Sequence, residues 1–195
     1  MRQLLLATRN PHKTREFAQI LGDEFVVRDL STETELPPVE ETGATFAENA
    51  VLKAVATSRH FAGVVVADDS GLEVDALNGA PGVHSARYAG GDATDKQNIA
   101  KLLAELEAHP NRSPYSARFR CVLALAREGE VLETVEGIVE GTILATPRGC
   151  GGFGYDPIFQ PTGSAQTFAE LPPVEKNRIS HRARAIHLLR AYLLT

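Results

Sequence analysis

The chain has 195 residues, enough to bury a real core and about the length of one domain. Its formal net charge of −5 argues against a general nucleic-acid-binding surface, which is ordinarily basic. Two cysteines make no disulfide framework, and no apolar run approaches the roughly 20 residues that a membrane helix needs.

The N-terminus opens on a strand pattern rather than a signal peptide, so a cytoplasmic protein with Cys121 and Cys150 reduced is expected. Gln3-Leu4-Leu5-Leu6-Ala7 reads as a buried strand (3–8) and runs into Thr8-Arg9-Asn10-Pro11-His12-Lys13. A helix (12–21) follows, with Phe17, Ile20 and Leu21 on one face and Gly22 as its stop. Strand, polar turn and helix start form a geometry that cradles phosphate, because free N–H groups and the positive end of the dipole face the anion. Thr8 and Asn10 add side-chain donors and Lys13 a point charge, although Walker spacing is absent. For the hexapeptide alone, a plain Asn-Pro turn with a solvated lysine is the favoured reading.

A strand is expected near 24–29, then a Glu- and Pro-rich loop (31–44). Thr45 with Glu48 forms a capping box before a helix at 46–61. Val64-Val65-Val66-Ala67 reads as a buried strand, followed by Asp68-Asp69-Ser70-Gly71 as an acidic turn and a short strand near 72–75. Ligands of open α/β sheets bind where strands end. Two adjacent acids there repel unless a cation lies between them, and a hard divalent metal such as Mg²⁺ suits oxygen ligands. A solvated Asx-turn is the alternative.

A turn-rich segment spans 78–93. Thr94 with Gln97 caps a second helix carrying Ile99, Leu102, Leu103 and Leu106 on its apolar face. Two long strands, about 116–127 and 131–145, are joined through Glu128-Gly129-Glu130 as a hairpin. Gly149-Cys150-Gly151-Gly152-Phe153-Gly154-Tyr155-Asp156-Pro157 lets backbone approach a ligand closely. Phe153 and Tyr155 offer surfaces on which a base can stack, and Asp156 an acceptor. Last, Lys176-Asn177-Arg178-Ile179-Ser180-His181-Arg182-Ala183-Arg184 gathers basic residues at the start of the final helix, with Ser180 as N-cap. Cations are disfavoured at a helix N-terminus, so the cluster suggests an anionic ligand; a solvated basic face is the alternative. An early βαβ unit followed by a hairpin predicts an α/β fold with a mixed sheet.

Taken in order, these segments resemble the inosine triphosphate pyrophosphatase family, the Ham1/RdgB-like non-standard purine nucleotide pyrophosphatases. The matching residues are T-R-N-P-H-K at 8–13, E-E-T-G at 40–43, F-x-E-N-A at 46–50 and A-D-D-S-G-L at 67–72. They continue with G-A-P-G-V-H-S-A-R-Y at 79–88, G-G-F-G-Y-D-P at 151–157 and E-K-N-R-I-S-H-R at 175–182, covering essentially the whole chain. One departure is Arg9, where many members carry Gly; a turn needing positive φ there would strain an arginine.

The resemblance implies one bilobed domain over 1–195, with a long central mixed sheet, flanking helices and an active-site cleft between two lobes. It implies Mg²⁺-dependent hydrolysis of ITP, dITP and XTP to a monophosphate and pyrophosphate by a homodimer that binds neither nucleic acid nor membrane. It places base function and a metal ligand at Asp69, and a second ligand at Glu41, with Glu40 a competitor. Substrate contacts are implied at Thr8, Arg9, Asn10, Pro11, His12, Lys13, Lys53, Ser70, Phe153, Gly154, Tyr155, Asp156, Lys176, His181 and Arg182. Two other readings stay open: a Maf-like pyrophosphatase acting on pyrimidine or standard nucleotides, and a nucleotide sensor without turnover.

Overall fold

The N-terminal apolar run forms β1 (Arg2–Leu6) in the computed structural model, which describes residues 2–33, 36, 38–110 and 114–194. Asn10 caps α1 (Pro11–Leu21), and Gly22, at φ 69°, closes it. β2 (Phe25–Asp29) follows. Both expected capping boxes are present, Thr45 with Glu48 before α2 (Phe46–Ser58) and Thr94 with Gln97 before α3 (Asp95–Glu107). The remaining elements are β3 (Val65–Val74), β4 (Tyr115–Arg127), β5 (Glu130–Ile143), β6 (Phe159–Pro161), α4 (Pro173–Ile179) and α5 (His181–Leu194).

Two local expectations change. The acidic turn does not exist: β3 runs unbroken through Asp68, Asp69, Ser70 and Gly71. Both carboxylates are buried with cationic partners, so the strand has no need to end at them. The basic segment does not open one helix either. Ser180 has extended backbone, φ −65° and ψ 158°, and divides α4 from α5.

The sheet order is β2-β1-β3-β4-β5-β6. β1 is parallel to both β2 and β3, while β5 is antiparallel to β6, so the sheet is mixed. With β1 between β2 and β3, the chain crosses over β1 and creates a switch point at its carboxyl end, where open α/β sheets bind ligands.

The chain divides into two compact units. The first holds the described residues of Met1–Asp69, Cys121–Gly137 and His181–Thr195, and the second those of Ser70–Arg120 and Ile138–Ser180. In the first, Phe17 and Leu21 of α1 pack with Leu4, Leu6, Val66, Leu123 and Ile186. In the second, Ile99, Leu102 and Leu106 of α3 pack with an aromatic group in which Phe119, Phe159 and Phe168 have ring centroids 4.7–5.9 Å apart. No helix among the described residues is long and apolar enough to cross a membrane.

β4 and β5 are joined by Glu128 and Gly129, with φ of 52° and 84°. Two positive φ values in a two-residue loop match the twist of the flanking strands, but the first costs energy in a residue other than Gly, Asn or Asp. Glu128→Asn is expected to stabilise the protein by about 0.5–1 kcal/mol, read as a higher denaturant midpoint at unchanged slope.

Candidate active site

In the first unit, pairing of β1 with β3 reaches Leu6 and Val66, and Ala7 N–H adds a bond to the Val66 carbonyl at 2.7 Å. β1 then turns away while β3 continues, which leaves the Asp68 carbonyl open to side chains. Lys13 Nζ (3.3 Å) and Lys53 Nζ (2.9 Å) both donate to it. Successive side chains leave a strand on opposite faces, so Asp68 and Asp69 diverge.

Asp68 is saturated. Lys13 Nζ donates to Oδ1, and Arg182 Nε (2.8 Å) and the Cys121 thiol (3.2 Å) donate to Oδ2. Burial alone would raise this carboxyl, but Arg182 and Lys13 overcome it and hold Asp68 well below the usual carboxylate range. Arg182, 1% exposed, also donates through Nη1 to Glu16 on α1. The structure therefore places Arg182 as the buried counter-ion of Asp68 and Glu16. Glu16 escaped the sequence reading because its partner lies 166 residues away.

Asp69 is arranged differently. Lys53 Nζ donates to its Oδ1 at 2.7 Å and to Glu41 Oε1 at 2.7 Å, so one ammonium bridges two carboxylates. Glu41 thus reaches this group, whereas Glu40 is exposed. Burial raises the Asp69 carboxyl above its usual value, and Lys53 offsets only part of that. Burial would lower Lys53, but Asp69 and Glu41 outweigh it and keep the ammonium charged. Asp69 Oδ2 is buried with no hydrogen-bond partner among the described residues. An orphaned carboxylate oxygen beside a second acid fits a hard cation such as Mg²⁺. Among the described residues no group of three or more His, Cys, Asp or Glu could hold a metal. Mg²⁺ commonly takes one or two carboxylates and completes its shell with substrate phosphate and water, so two acids suffice.

The phosphate turn carries fewer free N–H groups than its pattern suggested. Asn10 Oδ1 accepts from His12 N–H (2.9 Å) and Lys13 N–H (3.4 Å), Thr8 Oγ1 accepts from Asn10 N–H (3.1 Å), and Pro11 has none to give. The cationic side chains are left as its main attraction for an anion. Arg9 does not adopt positive φ; among the described non-glycine residues only Asn78 and Glu128 do. It instead donates to the Glu33 and Leu36 carbonyls, at 3.1 and 2.6 Å, strapping the turn to the following loop.

A second cluster lies in the second unit. Asp156 Oδ2 accepts from Phe153 N–H (2.9 Å) and Lys176 Nζ (2.5 Å), with Asp156 and Lys176 both buried. Lys176 Nζ stands 5.0 Å from the Phe153 ring centroid. Gly154 N–H donates to Asp95 Oδ2 at 2.7 Å, and Tyr155 Oη to the Ser85 carbonyl at 2.9 Å. A Cβ on Gly152 would meet Asp156 Oδ2 at 1.9 Å, so only glycine fits there. The glycine loop is thus pinned at several points, and Asp156 anchors it. Tyr155 is buried as a packing residue rather than an exposed stacking face, while Phe153 keeps partial exposure. Ser70 lies in β3, partly buried, and His181, buried, begins α5. Lys176 and Arg182 each already face a carboxylate, so the basic segment is not a bare anion site.

The chain matches the sequence model of the Ham1 family over residues 4–192. It belongs to that family. It is 54% identical over 187 residues to a Geobacillus kaustophilus (strain HTA426) protein named dITP/XTP pyrophosphatase, covering 95% of this chain and 91% of that one. A Bacillus subtilis (strain 168) protein of the same name is 48% identical over 190 residues, with 97% and 96% covered. The structure of a HAM1 protein from Coxiella burnetii agrees with a TM-score of 0.88 at 45% identity, covering 100% and 99% of the two chains. A Mycobacterium abscessus nucleoside-triphosphatase / dITP/XTP pyrophosphatase gives 0.75 at 45% identity over 96% and 98%. The fold is that of the Ham1 proteins.

Removing the Asp68 charge leaves buried Arg182 short of a partner. Asp68→Asn is expected to destabilise the protein by about 3–5 kcal/mol. Because the folded Asp68 carboxyl is depressed, its contribution is complete above the unfolded value of about 3.9 and disappears as pH falls toward the folded one. Acid unfolding of the wild type should therefore lose part of its steepness below about pH 4 in the variant.

Proposed function

We propose that this Ham1-family chain is a nucleoside triphosphate pyrophosphatase that hydrolyses ITP, dITP and XTP between the α and β phosphates, with Mg²⁺ as cofactor. The observation carrying the reading is the orphaned Asp69 Oδ2 beside Glu41, with Lys13 and Lys53 converging on the same strand. The names of the curated relatives support the substrate class.

In this reading Lys13 and Lys53 bind phosphate oxygens and balance their charge. Asp69 and Glu41 hold Mg²⁺, which when bound supplies positive charge against the triphosphate and makes nearby water more acidic. Asp69 takes the proton of the attacking water on its carboxylate. The water oxygen bonds to phosphorus, the α–β anhydride breaks, and pyrophosphate leaves from the monophosphate. A carboxylate is a weak base at neutral pH, and the burial that lifts Asp69 moves it in the useful direction. The resemblance implies base contacts at Phe153 and at Lys176, which Asp156 fixes; an ammonium donor suits a 6-oxo group, while the 6-amino group of adenine is itself a donor and would leave it unpaired.

Pyrophosphate release measured in parallel from ITP, XTP, dITP, GTP, ATP and dTTP, with and without Mg²⁺, tests this. Mg²⁺-dependent turnover of the first three with little of the rest is expected. Turnover mainly of dTTP would favour a Maf-like activity, and ITP binding without release a sensor. Asp69→Asn should lower kcat by about 10²–10⁴-fold, as loss of a general base does. Lys176→Met should narrow the preference for ITP over ATP while retaining turnover. The homodimer implied by the resemblance would appear in light scattering as about twice the 21.0 kDa of one chain.

A further inference from the structure

The first turn of α2 holds more of the preceding loop than a capping box requires. Such a box binds the N–H groups of Thr45 and Glu48 reciprocally. Here Glu48 Oε2 also takes Ala44 N–H at 2.6 Å, and Asn49 Oδ1 takes Gly43 N–H at 2.8 Å. Three successive backbone donors, 43 to 45, are thus fastened to one helix turn. The approach is so close that a Cβ on Gly43 would lie 2.6 Å from Glu48 Cβ and 2.7 Å from Asn49 Oδ1.

Asn49 is fully buried, and its Nδ2 has no hydrogen-bond partner among the described residues. A half-satisfied buried amide costs stability, so Asn49 is a poor choice for holding the helix alone. Its particular contribution is the acceptor for Gly43 N–H. Glu41 stands two residues before that bond. Asn49 and Lys53 lie at i and i+4 on one face of α2, and Lys53 Nζ donates to Glu41 Oε1.

We propose that Asn49 is a positioning residue: by fastening Gly43 to α2 it sets the Glu41 carboxylate beside Asp69 and so tunes cation affinity. This rests on the proposed metal role of Glu41 and Asp69. Asn49 itself touches no reacting atom.

The test is direct Mn²⁺ binding to the metal-free protein, by electron paramagnetic resonance, with the Mg²⁺ half-saturation of ITP hydrolysis as a second readout. Asn49→Ala removes the acceptor, and Gly43→Ala displaces the loop sterically while leaving every polar side chain in place. Each should weaken Mn²⁺ binding about 10–100-fold, the scale on which residues supporting metal ligands act. Each should raise the Mg²⁺ requirement in parallel and leave KM for ITP at saturating Mg²⁺ close to wild type. Asn49→Ala added to Glu41→Gln should weaken binding no further, because the two act through one ligand. Unchanged Mn²⁺ affinity in a folded Asn49→Ala or Gly43→Ala protein, with only thermal stability lowered, would overturn the inference. So would full additivity with Glu41→Gln. A wild-type protein that neither binds Mn²⁺ nor needs Mg²⁺ would overturn the metal reading itself, and this inference with it.

Discussion

The architecture around the proposed site follows from one constraint: two adjacent carboxylates buried inside a strand. Taking one ion out of water costs several kcal/mol, while an opposite charge 4 Å away returns about 4 kcal/mol at an effective dielectric of 20. Neither acid could stay ionised there alone. Strand alternation separates the two side chains and lets each collect its own cations. Asp68 takes Arg182 and Lys13; Asp69 shares Lys53 with Glu41. The two lysines meet again on the Asp68 carbonyl, which is open because β1 has already turned away.

This arrangement gives neighbouring residues opposite characters. Asp68 has its oxygens engaged and its proton affinity depressed, and it acts as a fixed anion that organises α1, α5 and Lys13. Asp69 keeps one buried oxygen unpartnered and its proton affinity raised, properties suited to a base or a ligand. In the second unit Asp156 resembles Asp68 more than Asp69. It spends Oδ2 on Lys176 and on the backbone of the glycine loop, holding the Phe153 ring and the ammonium at a set distance.

Local chemistry made much of this legible in the sequence. The capping boxes at Thr45 and Thr94, the apolar face of α3 and the Glu128-Gly129 hairpin depend on neighbours a few residues apart, and each forms as its pattern indicates. What escaped depends on distant partners. Ser-Gly after two acids reads as a turn until buried cations let β3 continue. The basic segment at 176–184 reads as one anion site until Lys176 is seen with Asp156 in one unit and Arg182 with Asp68 in the other. Glu40 and Glu41 are indistinguishable by pattern; the bond from Gly43 to Asn49 and the reach of Lys53 separate them. Arg9, which looked strained in prospect, has ordinary φ and straps the following loop.

The division of labour between the two aspartates is open to direct observation. Carboxyl ¹³C chemical shifts of aspartate-labelled, metal-free protein, followed through acid pH and assigned with Asp69→Asn, would report both groups. The account predicts that the signal lost in Asp69→Asn titrates above the ordinary value of about 3.9, while the Asp68 signal remains ionised as far down in pH as the fold persists. An Asp69 that titrates below Asp68, or two carboxyls titrating together at the ordinary value, would contradict it.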